Sequence, residues 1–471
     1  MSERLFTLDE AAAMSGGEVF RAEGFTGEEI FSVAADSRVA GAGALFVPLK
    51  GERTDGHVHI AEAFERGARV SLTDKSFWDA HGERLRAQAA RPRCAFIIVE
   101  SSLSALQTLA ARYMEGRRAL PVCISGSNGK TTTKEITGAI LAREAPFFMN
   151  RGNLNSEIGL PLSVFEVKND ADFAVFEMGM NHEGEMDVLV NIVKPRAALI
   201  TNIGTAHIGF LGSPQNIAAE KKKLFLALPP KEKAYVYEGE PFRSFLKEGV
   251  AADVLPFGET STPGFGGYED LGLDGYSLCL GGETVRFPLP GIYNLRNALG
   301  AVSLCRGLGI SEKAIQAGLG SVKPLFGRGQ IFRADVTVLQ DCYNANPQSM
   351  QSAIDFLGAL AWRGRKIAVL GSMKELGAFS AQEHRNIGAR VFASGFNAAF
   401  FFGEEMREAF AVLEEERFSG VFRWFADFDG LKKAVVSFAA AGDIVLVKGS
   451  RSMELERMTE ALAGRQGGCD V

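Results

Sequence analysis

The segment that most constrains the fold of this chain is a short glycine loop, Ser125-Gly126-Ser127-Asn128-Gly129-Lys130-Thr131-Thr132-Thr133. An apolar run at residues 121–124 precedes the loop, and residues 134–141 have the composition of a helix. This order predicts a strand, a loop and a helix, in which backbone N–H groups and a helix N-terminus face a phosphate. Lys130 would reach the outer phosphates of a nucleotide, and the Thr131 hydroxyl would bind Mg²⁺. We therefore expect this chain to use a nucleoside triphosphate.

The loop departs from the common phosphate-binding pattern, which has four residues between its two glycines. Here Gly126 and Gly129 are separated by Ser127 and Asn128 alone. An ordinary turn before a helix therefore remains an alternative for this segment taken by itself. Other parts of a nucleotide site elsewhere in the chain are needed to decide between the two.

Length and charge limit the class of protein. A chain of 471 residues predicts two to four domains, since single cores rarely grow beyond about 250–300 residues. The net charge of −6 gives no sign of a nucleic-acid partner, which usually requires a basic surface. Six cysteines between Cys94 and Cys469 have neither metal-site nor disulfide spacing, so a reducing cytoplasm is expected. The N-terminus lacks a signal pattern, and no apolar run approaches the ~18 residues that span a bilayer, so membrane insertion is not expected.

Apolar strands alternate with helical stretches in three successive regions, residues 1–100, 101–322 and 323–471. Such alternation is typical of mostly parallel sheets covered by helices. We predict an α/β protein of three domains: a small N-terminal α/β domain, a central P-loop-type, mostly parallel sheet, and a C-terminal Rossmann-like, doubly wound domain. The expected strands are 44–48, 94–99, 173–176, 197–201, 234–237, 337–340, 366–370, 398–402 and 444–447, and helices are expected at 60–64 and 103–114.

Two of the expected strands end on polar side chains that suit a metal or phosphate site. Glu177 ends the strand in FAVFEMGMNH, and His207 follows the next strand in TNIGTAH. Carboxylates and imidazoles at strand ends beside a phosphate loop can ligate a metal or contact phosphate. Taken singly, a residue such as Glu177 is more often a solvated strand end, and a lone histidine such as His207 is usually a structural or exposed residue.

Three further polar segments are ambiguous on composition alone. The lysines at 221–223 enter a helix, and a solvated face explains Lys222 and Lys223. Residues 150–159 are rich in asparagine and glycine, which suits either a neutral polar ligand or a turn-rich loop. Asn294 is a candidate helix N-cap, and Asn297 on the same side could contact a base edge, although both could equally face solvent.

In combination these segments resemble the Mur ligase family of ATP-dependent enzymes, which join amino acids or peptides to a UDP-N-acetylmuramic acid precursor of peptidoglycan. The resemblance covers essentially the whole chain, with SGSNGKTTT, FEMGMNH, TNIGTAHIGFLG, YNLRNALGA, DCYNANPQSM and LGSMKELG in family order. NRGNLNSEIGLP, EMGMNHEGEM and DCYNANPQSM are similar to the member that adds D-alanyl-D-alanine. The Asp-Asn-Pro-Arg motif of the relative that adds meso-diaminopimelate is absent.

The resemblance implies an ATP-dependent ligase that adds D-alanyl-D-alanine to UDP-N-acetylmuramoyl-tripeptide through an acyl phosphate. Its implied partners are these two substrates, and its cofactors are ATP, two Mg²⁺ ions and a carbamylated lysine. The implied domains are a UDP-precursor domain at 1–100, an ATP-binding domain at 101–322 and a Rossmann-like domain at 323–471. A cytoplasmic monomer is expected, with a role in cell-wall synthesis, cell shape and division.

The resemblance also assigns roles to residues of this chain. The catalytic residues would be Lys130, Lys221, His207 and Arg328. ATP would contact Gly126, Ser127, Asn128, Gly129, Lys130, Thr131, Thr132, Asn297 (adenine) and Asp341 (ribose). The metal would be held by Thr131, Glu177, His207 and Lys221, the last as a carbamate, with Lys222 as the alternative. The precursor would contact Ser37, Arg38, Asn153, Asn155, Asn181 and His182, and the segments 36–38 and 50–57 would hold its UDP end.

Two positions depart from the family pattern: Tyr293 stands where many members have histidine, and Cys342 where many have serine. Neither departure changes the implied reaction. The base that accepts a proton from the incoming amine is not evident from the sequence.

Three rival functions follow from the same residues. One is another amide ligase of the family, such as the enzyme that adds the third residue. Another is a P-loop kinase or nucleotide switch, which leaves the first and third regions unexplained. A non-catalytic UDP-sugar-binding protein leaves Lys130, Glu177 and His207 without a role.

Overall fold

The structure is a computed structural model that describes residues 3–51, 54–90 and 93–463. Cys469, the ends of the chain and part of the 50–57 segment lie outside the described residues. The chain forms two compact units, of which the first contains the described parts of Met1–Cys123, Ala145–Met180 and Gly184–Arg196. The second contains those of Ile124–Glu144, Asn181–Glu183 and Ala197–Val471. The bounds of the three sequence regions stay a prediction.

The described helices and strands follow in chain order. Up to residue 125 they are β1 (Phe6–Thr7), α1 (Leu8–Ser15), β2 (Glu18–Arg21), β3 (Glu29–Ile30), β4 (Ser32–Ala34), β5 (Ala44–Phe46), α2 (Ile60–Arg66), β6 (Val70–Asp74), α3 (Lys75–Ala90), β7 (Ala95–Val99), α4 (Ser102–Glu115) and β8 (Leu120–Ser125). Residues 126–226 contain α5 (Lys130–Leu141), β9 (Phe147–Met149), α6 (Gly159–Val164), β10 (Phe173–Glu177), α7 (Glu185–Val193), β11 (Ala197–Ile200), α8 (Ile208–Leu211) and α9 (Pro214–Leu226).

From residue 227 to 320 the elements are β12 (Lys233–Tyr237), α10 (Arg243–Lys247), β13 (Asp253–Phe257), β14 (Phe265–Asp270), β15 (Tyr276–Leu280), β16 (Glu283–Phe287), α11 (Ile292–Gly307) and α12 (Glu312–Gly320). The last stretch contains β17 (Gln330–Phe332), β18 (Thr337–Gln340), α13 (Pro347–Ala359), β19 (Lys366–Gly371), α14 (Ser380–Ala393), β20 (Ala398–Phe402), α15 (Arg407–Glu415), β21 (Val421–Phe425), α16 (Phe428–Phe438), β22 (Ile444–Lys448) and α17 (Glu456–Ala463).

The first unit contains a five-stranded sheet in the order β2-β7-β6-β5-β4. Its pairs are parallel except β2 with β7; β5 is buried along its whole length, and β7 is buried except at Ile98. Strands buried on both faces read as continuous apolar runs, which explains why the sequence pattern located β5 and β7. In the same unit, β9 and β10 pair in parallel, with Val175 opposite Met149.

The second unit contains two kinds of sheet. Strands β11, β12 and β13 pair in parallel, and the C-terminal sheet has the order β17-β18-β22-β19-β20-β21 with β17 alone antiparallel. Its core contains side chains from β18, β19, β20, β22, α16 and α17. These parallel sheets with crossover helices confirm the predicted α/β fold class.

One feature of the second unit was not predicted. Strands β14, β15 and β16 form an antiparallel sheet inside the region that was expected to be mostly parallel. Gly281 and Gly282 join β15 to β16, and both have positive φ (62° and 85°), as a two-residue hairpin turn requires. Within the described residues, no helix combines the length and the apolar character needed to cross a membrane.

Three local predictions are corrected. Helix α5 begins at Lys130, four residues earlier than expected, so Lys130 lies in the first turn. Helix α11 begins at Ile292 behind Gly291, whose φ of 89° turns the chain into the helix, so the predicted N-cap at Asn294 is wrong. The lysines at 221–223 lie in the second half of α9 and not at its start.

Candidate nucleotide and substrate sites

The glycine loop has a backbone that requires its two glycines. Gly126 has φ +144°, and a Cβ there would lie 1.9 Å from Thr201 Oγ1. Gly129 has φ +80°, and its Cβ would lie 2.2 Å from Asn297 Oδ1. A residue with a side chain would be strained at such positive φ values, and at both positions the side chain of a neighbouring residue already occupies the space of a Cβ. The loop therefore has the close-packed shape of a phosphate cradle, and the alternative of an ordinary turn is disfavoured.

Polar groups that follow β11 hold the centre of the loop. Asn128 N donates to Asn202 Oδ1 at 3.0 Å, and Asn128 O accepts from Thr201 Oγ1 at 2.5 Å and from Asn202 Nδ2 at 3.0 Å. Gly204 N donates to Ser127 Oγ at 2.8 Å. The residues that follow β11 thus hold the glycine loop through hydrogen bonds that the loop sequence alone cannot supply.

The C-terminal region of the second unit also contacts the loop. Asn346 Nδ2 donates to Asn128 Oδ1 at 2.6 Å, and Asn128 Nδ2 donates to Gln348 Oε1 at 3.4 Å. Asn346 is the N-cap of α13, where its Oδ1 accepts from Ser349 N. The side chain therefore joins the start of α13 to the loop through two different atoms. Asn202, Asn346 and Gln348 were not among the predicted site residues. An Asn-Pro pair such as Asn346-Pro347 is a signal for a helix start and carries no information about a contact with the loop.

Lys130 occupies the first turn of α5 and folds over the loop. Its Nζ donates to Gly126 O at 2.8 Å and to Ser127 O at 3.4 Å. The first N–H groups of a helix have no acceptor inside that helix, and α5 has no side-chain cap. A cation and uncapped N–H groups at a twelve-residue helix fit the phosphates of a nucleotide.

Asn294 and Asn297 are buried, with exposed fractions of 4% and 8%. The alternative in which both amides face solvent is therefore wrong. Asn294 Nδ2 donates to Pro290 O at 2.8 Å, which ties the helix start to the preceding turn. Asn297 reaches the glycine loop at Gly129, so α11 places this amide beside the phosphate cradle.

His207 lies next to a carboxylate from the C-terminal region. Its Nδ1 lies 2.8 Å from Glu375 Oε2, but the angle does not meet the geometry of a hydrogen bond. The backbone of Glu375 accepts from Gly209 N at 3.1 Å. His207 and Glu375 both have positive φ (61° and 67°), a strained conformation that is found at functional sites. The close approach of His207 lowers the pKa of Glu375, against the opposing effect of burial.

Lys221 is almost completely buried in α9, with an exposed fraction of 2%. Burial lowers its pKa well below the ordinary value, and the charge of Lys130 lowers it further, against the opposing effect of Glu220. Lys222 differs, since it is partly exposed and its Nζ lies 4.3 Å from the centre of the Phe245 ring. Of the two candidates, Lys221 is therefore the lysine with the environment of a neutral amine.

Arg328 and Asp341 lie in the C-terminal region with partners of their own. The Arg328 guanidinium lies 4.0 Å from the centre of the Tyr343 ring. Asp341 Oδ2 accepts from the buried Lys448 at 2.6 Å. Asn346 and Gln348 are the side chains of this region that contact the phosphate loop directly, whereas no such contact is recorded for Arg328 within the described residues.

Glu177 and Asn155 lie together in the first unit. Asn155 Nδ2 donates to Glu177 Oε1 at 2.7 Å, and Asn150 Oδ1 accepts from Glu177 N at 2.8 Å. Glu177 is buried, with an exposed fraction of 3%, so the alternative of a solvated strand end is wrong. Among the described residues no group of three or more His, Cys, Asp or Glu side chains is placed to hold a metal. A metal would need hydroxyl, carbamate or phosphate oxygens in addition.

Of the remaining predicted substrate residues, Ser37 is buried and the other four are exposed. Ser37 Oγ donates to Glu62 Oε2 at 2.8 Å, and Arg38 pairs with Asp36 at 2.6 Å. Asn153 is exposed in the asparagine-rich loop. Asn181 and His182 are exposed in the second unit, where the His182 ring packs edge-on against Phe210 at 4.8 Å.

Three family models match successive parts of the chain. "Mur ligase family, catalytic domain" matches residues 29–114, "Mur ligase middle domain" matches 124–305, and "Mur ligase, glutamate ligase domain" matches 327–451. Together they span the glycine loop, the α11 amides and the C-terminal region.

Curated relatives match over nearly their full length. The chain is 37% identical to the UDP-N-acetylmuramoyl-tripeptide–D-alanyl-D-alanine ligase of Treponema pallidum, over 97% of this chain and 99% of the relative. It is 33% identical to the enzyme of the same name from Bacillus subtilis, over 92% and 93%. Among solved structures, MurF from Acinetobacter baumannii has a TM-score of 0.86 and 29% identity, over 98% of this chain and all of that one. MurF ligase from Thermotoga maritima in complex with ADP has a TM-score of 0.77 and 26% identity, over 92% and 97%.

Proposed function

Because the chain belongs to the Mur ligase family, we propose that it adds D-alanyl-D-alanine to UDP-N-acetylmuramoyl-tripeptide at the expense of ATP, a step of peptidoglycan synthesis in the cytoplasm. It is an ATP-dependent ligase that releases ADP and phosphate. The observation that carries this proposal is the glycine loop, whose shape is held by Thr201 and Asn202 on one side and by Asn346 on the other. The alternative functions, a P-loop kinase or a UDP-sugar-binding protein, do not explain why Asn346 of the C-terminal region contacts the glycine loop.

The reaction proceeds in two displacement steps. A carboxylate oxygen of the tripeptide attacks the γ-phosphorus of ATP, the bond to the β–γ bridging oxygen breaks, and ADP leaves. The amine of D-alanyl-D-alanine then attacks the carbonyl carbon of the acyl phosphate, the bond to the phosphate oxygen breaks, and the nitrogen loses a proton. In the first step an anion attacks an anion, so charge neutralisation and alignment are the main requirements. Lys130 at the loop and Arg328 from the C-terminal region would supply this neutralisation.

The loop residues Gly126 to Thr132 would hold the ATP phosphates, Asn297 the adenine and Asp341 the ribose. Thr131, Glu177, His207 and Lys221 would hold Mg²⁺, two ions in all, which would neutralise phosphate charge when bound. A neutral amine is the form that reacts with CO₂, and the lowered pKa of Lys221 favours that form at neutral pH. A carbamate on Lys221 would offer the oxygen ligands that Mg²⁺ prefers.

The UDP precursor would bind through Ser37, Arg38 and the 50–57 segment, and its peptide through Asn153, Asn155, Asn181 and His182. The domains would be residues 1–100 for the precursor, 101–322 for ATP and 323–471 for the C-terminal Rossmann-like domain. The protein would act as a monomer, which light scattering of the purified protein tests. No nucleic-acid partner is expected.

The test is a ligation assay on the purified protein. ATP, Mg²⁺, UDP-N-acetylmuramoyl-tripeptide and D-alanyl-D-alanine should give a UDP-linked pentapeptide by mass spectrometry, with one ADP formed per product. Single amino acids with a UDP-linked dipeptide serve as the competing reaction. Product from the single amino acid alone would assign the chain to another step of the pathway. ATP hydrolysis without any amide product would favour a kinase or nucleotide switch.

The carbamate on Lys221 has its own test. Lys221→Ala should lose most activity and recover part of it with added short carboxylates, which can replace the missing oxygen ligand. The matched control is Lys222→Ala, which should remain active because Lys222 is partly exposed beside Phe245. Full activity of Lys221→Ala with loss in Lys222→Ala would transfer the role to Lys222.

A further inference from the structure

Tyr293 occupies a face of α11 that is directed to the nucleotide site. Tyr293 lies in the first turn of the helix, and Asn297 follows four residues later on the same face. Asn297 Oδ1 is the atom that a Cβ on Gly129 of the phosphate loop would meet at 2.2 Å. A nucleotide whose phosphates lie on the loop would therefore extend along the face of α11 that carries Tyr293.

The hydroxyl of Tyr293 is buried and has no hydrogen-bond partner in the part of the chain that the structure describes. Buried polar groups are normally paired, and an unpaired one in a native protein calls for an explanation. By contrast, the hydroxyl of the buried Tyr113 donates to Val167 O at 3.0 Å. The contrast indicates that the partner of Tyr293 is supplied from outside the chain.

The surroundings of this hydroxyl fit a sugar. A Cβ on Gly329 would lie 3.9 Å from Tyr293 Oη and from Asn294 Nδ2, with nothing nearer, so there is room beside this glycine. Burial, and after it the nearby charge of Asp341, raise the pKa of Tyr293, so its hydroxyl stays a neutral donor. One carboxylate oxygen of Asp341 pairs with Lys448, and about one-fifth of the Asp341 side chain is exposed.

We propose that the Tyr293 hydroxyl donates a hydrogen bond to a ribose hydroxyl of the bound nucleotide, and so determines the preference of the enzyme for ribonucleotides. A vicinal diol both donates and accepts; the ionised Asp341 can only accept, and Tyr293 supplies the missing donor. This inference rests on the proposed ATP-dependent function and adds a specificity-determining residue to it. The tyrosine stands at the position where the sequence departs from the family histidine.

The test compares Tyr293→Phe with the unaltered enzyme on ATP, 2′-deoxy-ATP and 3′-deoxy-ATP. Losing a hydrogen bond between a binding site and a substrate hydroxyl should raise KM for ATP about tenfold with little change in kcat. On the analogue that lacks the partner hydroxyl, both enzymes should have the same KM. The matched control is Tyr235→Phe, which removes another buried hydroxyl, near Gly307, and should not change any of the three KM values.

Thermal unfolding separates binding from a structural role. Without nucleotide, Tyr293→Phe should unfold at the same or a higher temperature, because it removes an unpaired buried hydroxyl, but ATP should stabilise it less than it stabilises the unaltered enzyme. An unchanged KM for ATP, or an equal rise for all three nucleotides, would overturn the inference. Absence of ligation activity in the unaltered protein would instead overturn the proposed function. The two outcomes can be distinguished, because nucleotide binding measured by thermal unfolding does not depend on ligation.

Discussion

The phosphate loop and the segment around Arg38 use opposite ways of holding polar side chains. Asn128 in the loop is held by Asn202 and Asn346, which lie 74 and 218 residues away in the sequence. Arg38 in the first unit is held by Asp36, two residues away. A group held by distant residues has its geometry fixed by the fold, whereas a local pair on the surface forms without it. Substitutions in the loop should therefore change catalysis strongly, and substitutions at Arg38 should change it little.

The largest effect is expected for Lys130→Ala. The charge of Lys130 is needed where negative charge develops, so kcat should fall by about 10²–10³-fold or more. The melting temperature should change little, because the hydrogen bonds from Lys130 Nζ to the carbonyl groups of Gly126 and Ser127 lie within one local loop. Lys313→Ala, at an exposed site on α12, is the control and should keep full activity. Normal ligation by Lys130→Ala would remove the loop from the active site.

The next effect is expected for Gly129→Ala. The new Cβ would meet Asn297 and would also adopt a positive φ, so binding of ATP should weaken at least tenfold. A positive φ alone should destabilise the protein by about 1 kcal/mol. Gly249→Ala is the matched control, since Gly249 has φ +71° and no atom within 4 Å of its Cβ. If both variants lose the same stability and both bind ATP as well as the unaltered protein, then Asn297 does not pack against Gly129 as described.

A smaller effect is expected for Asn346→Ser. Serine keeps the N-cap of α13 but cannot reach Asn128, so KM for ATP should rise about three- to tenfold while stability is nearly kept. Asn346→Ala should lose a further ~1 kcal/mol of stability with the cap. An unchanged KM in both variants would show that contacts from the C-terminal region do not shape the loop.

The smallest effect is expected for Arg38→Ala. KM for the UDP precursor should rise a few-fold, with KM for ATP and the melting temperature unchanged, because exposed ion pairs add little stability. The hydrogen bond from Arg38 lowers the pKa of Asp36 to about 2. The folded-state pKa is depressed, so the pair persists at all higher pH values and is lost only as pH falls through about 2. The KM for the precursor should therefore show no titration of this pair between pH 5 and 8; a rise in KM for ATP would contradict the assignment of Arg38.

Local sequence was sufficient for most elements of the fold. The expected strand at 398–402 coincides with β20, and the strand at 337–340 with β18, since both are short segments with apolar centres that are buried at every position. The helix starts were less predictable. Asn294 has the residue type of an N-cap, but Gly291 with its positive φ occupies the N-cap position, three residues earlier. The hairpins β14 to β16 were missed, because antiparallel pairing depends on neighbours and not on the run itself.

The sequence by itself determined the strand, glycine loop and helix at 120–141, since backbone propensities and glycine conformations act over a few residues. It also indicated the family, because motifs in a given order are a property of the chain. The tertiary structure decided which side chains complete the loop and which are left unpaired. The contact between Asn128 and Asn346, the strained pair His207 and Glu375, and the unpaired hydroxyl of Tyr293 exist only after the chain has folded. Burial and hydrogen bonding between distant residues are set by packing, which no local pattern specifies.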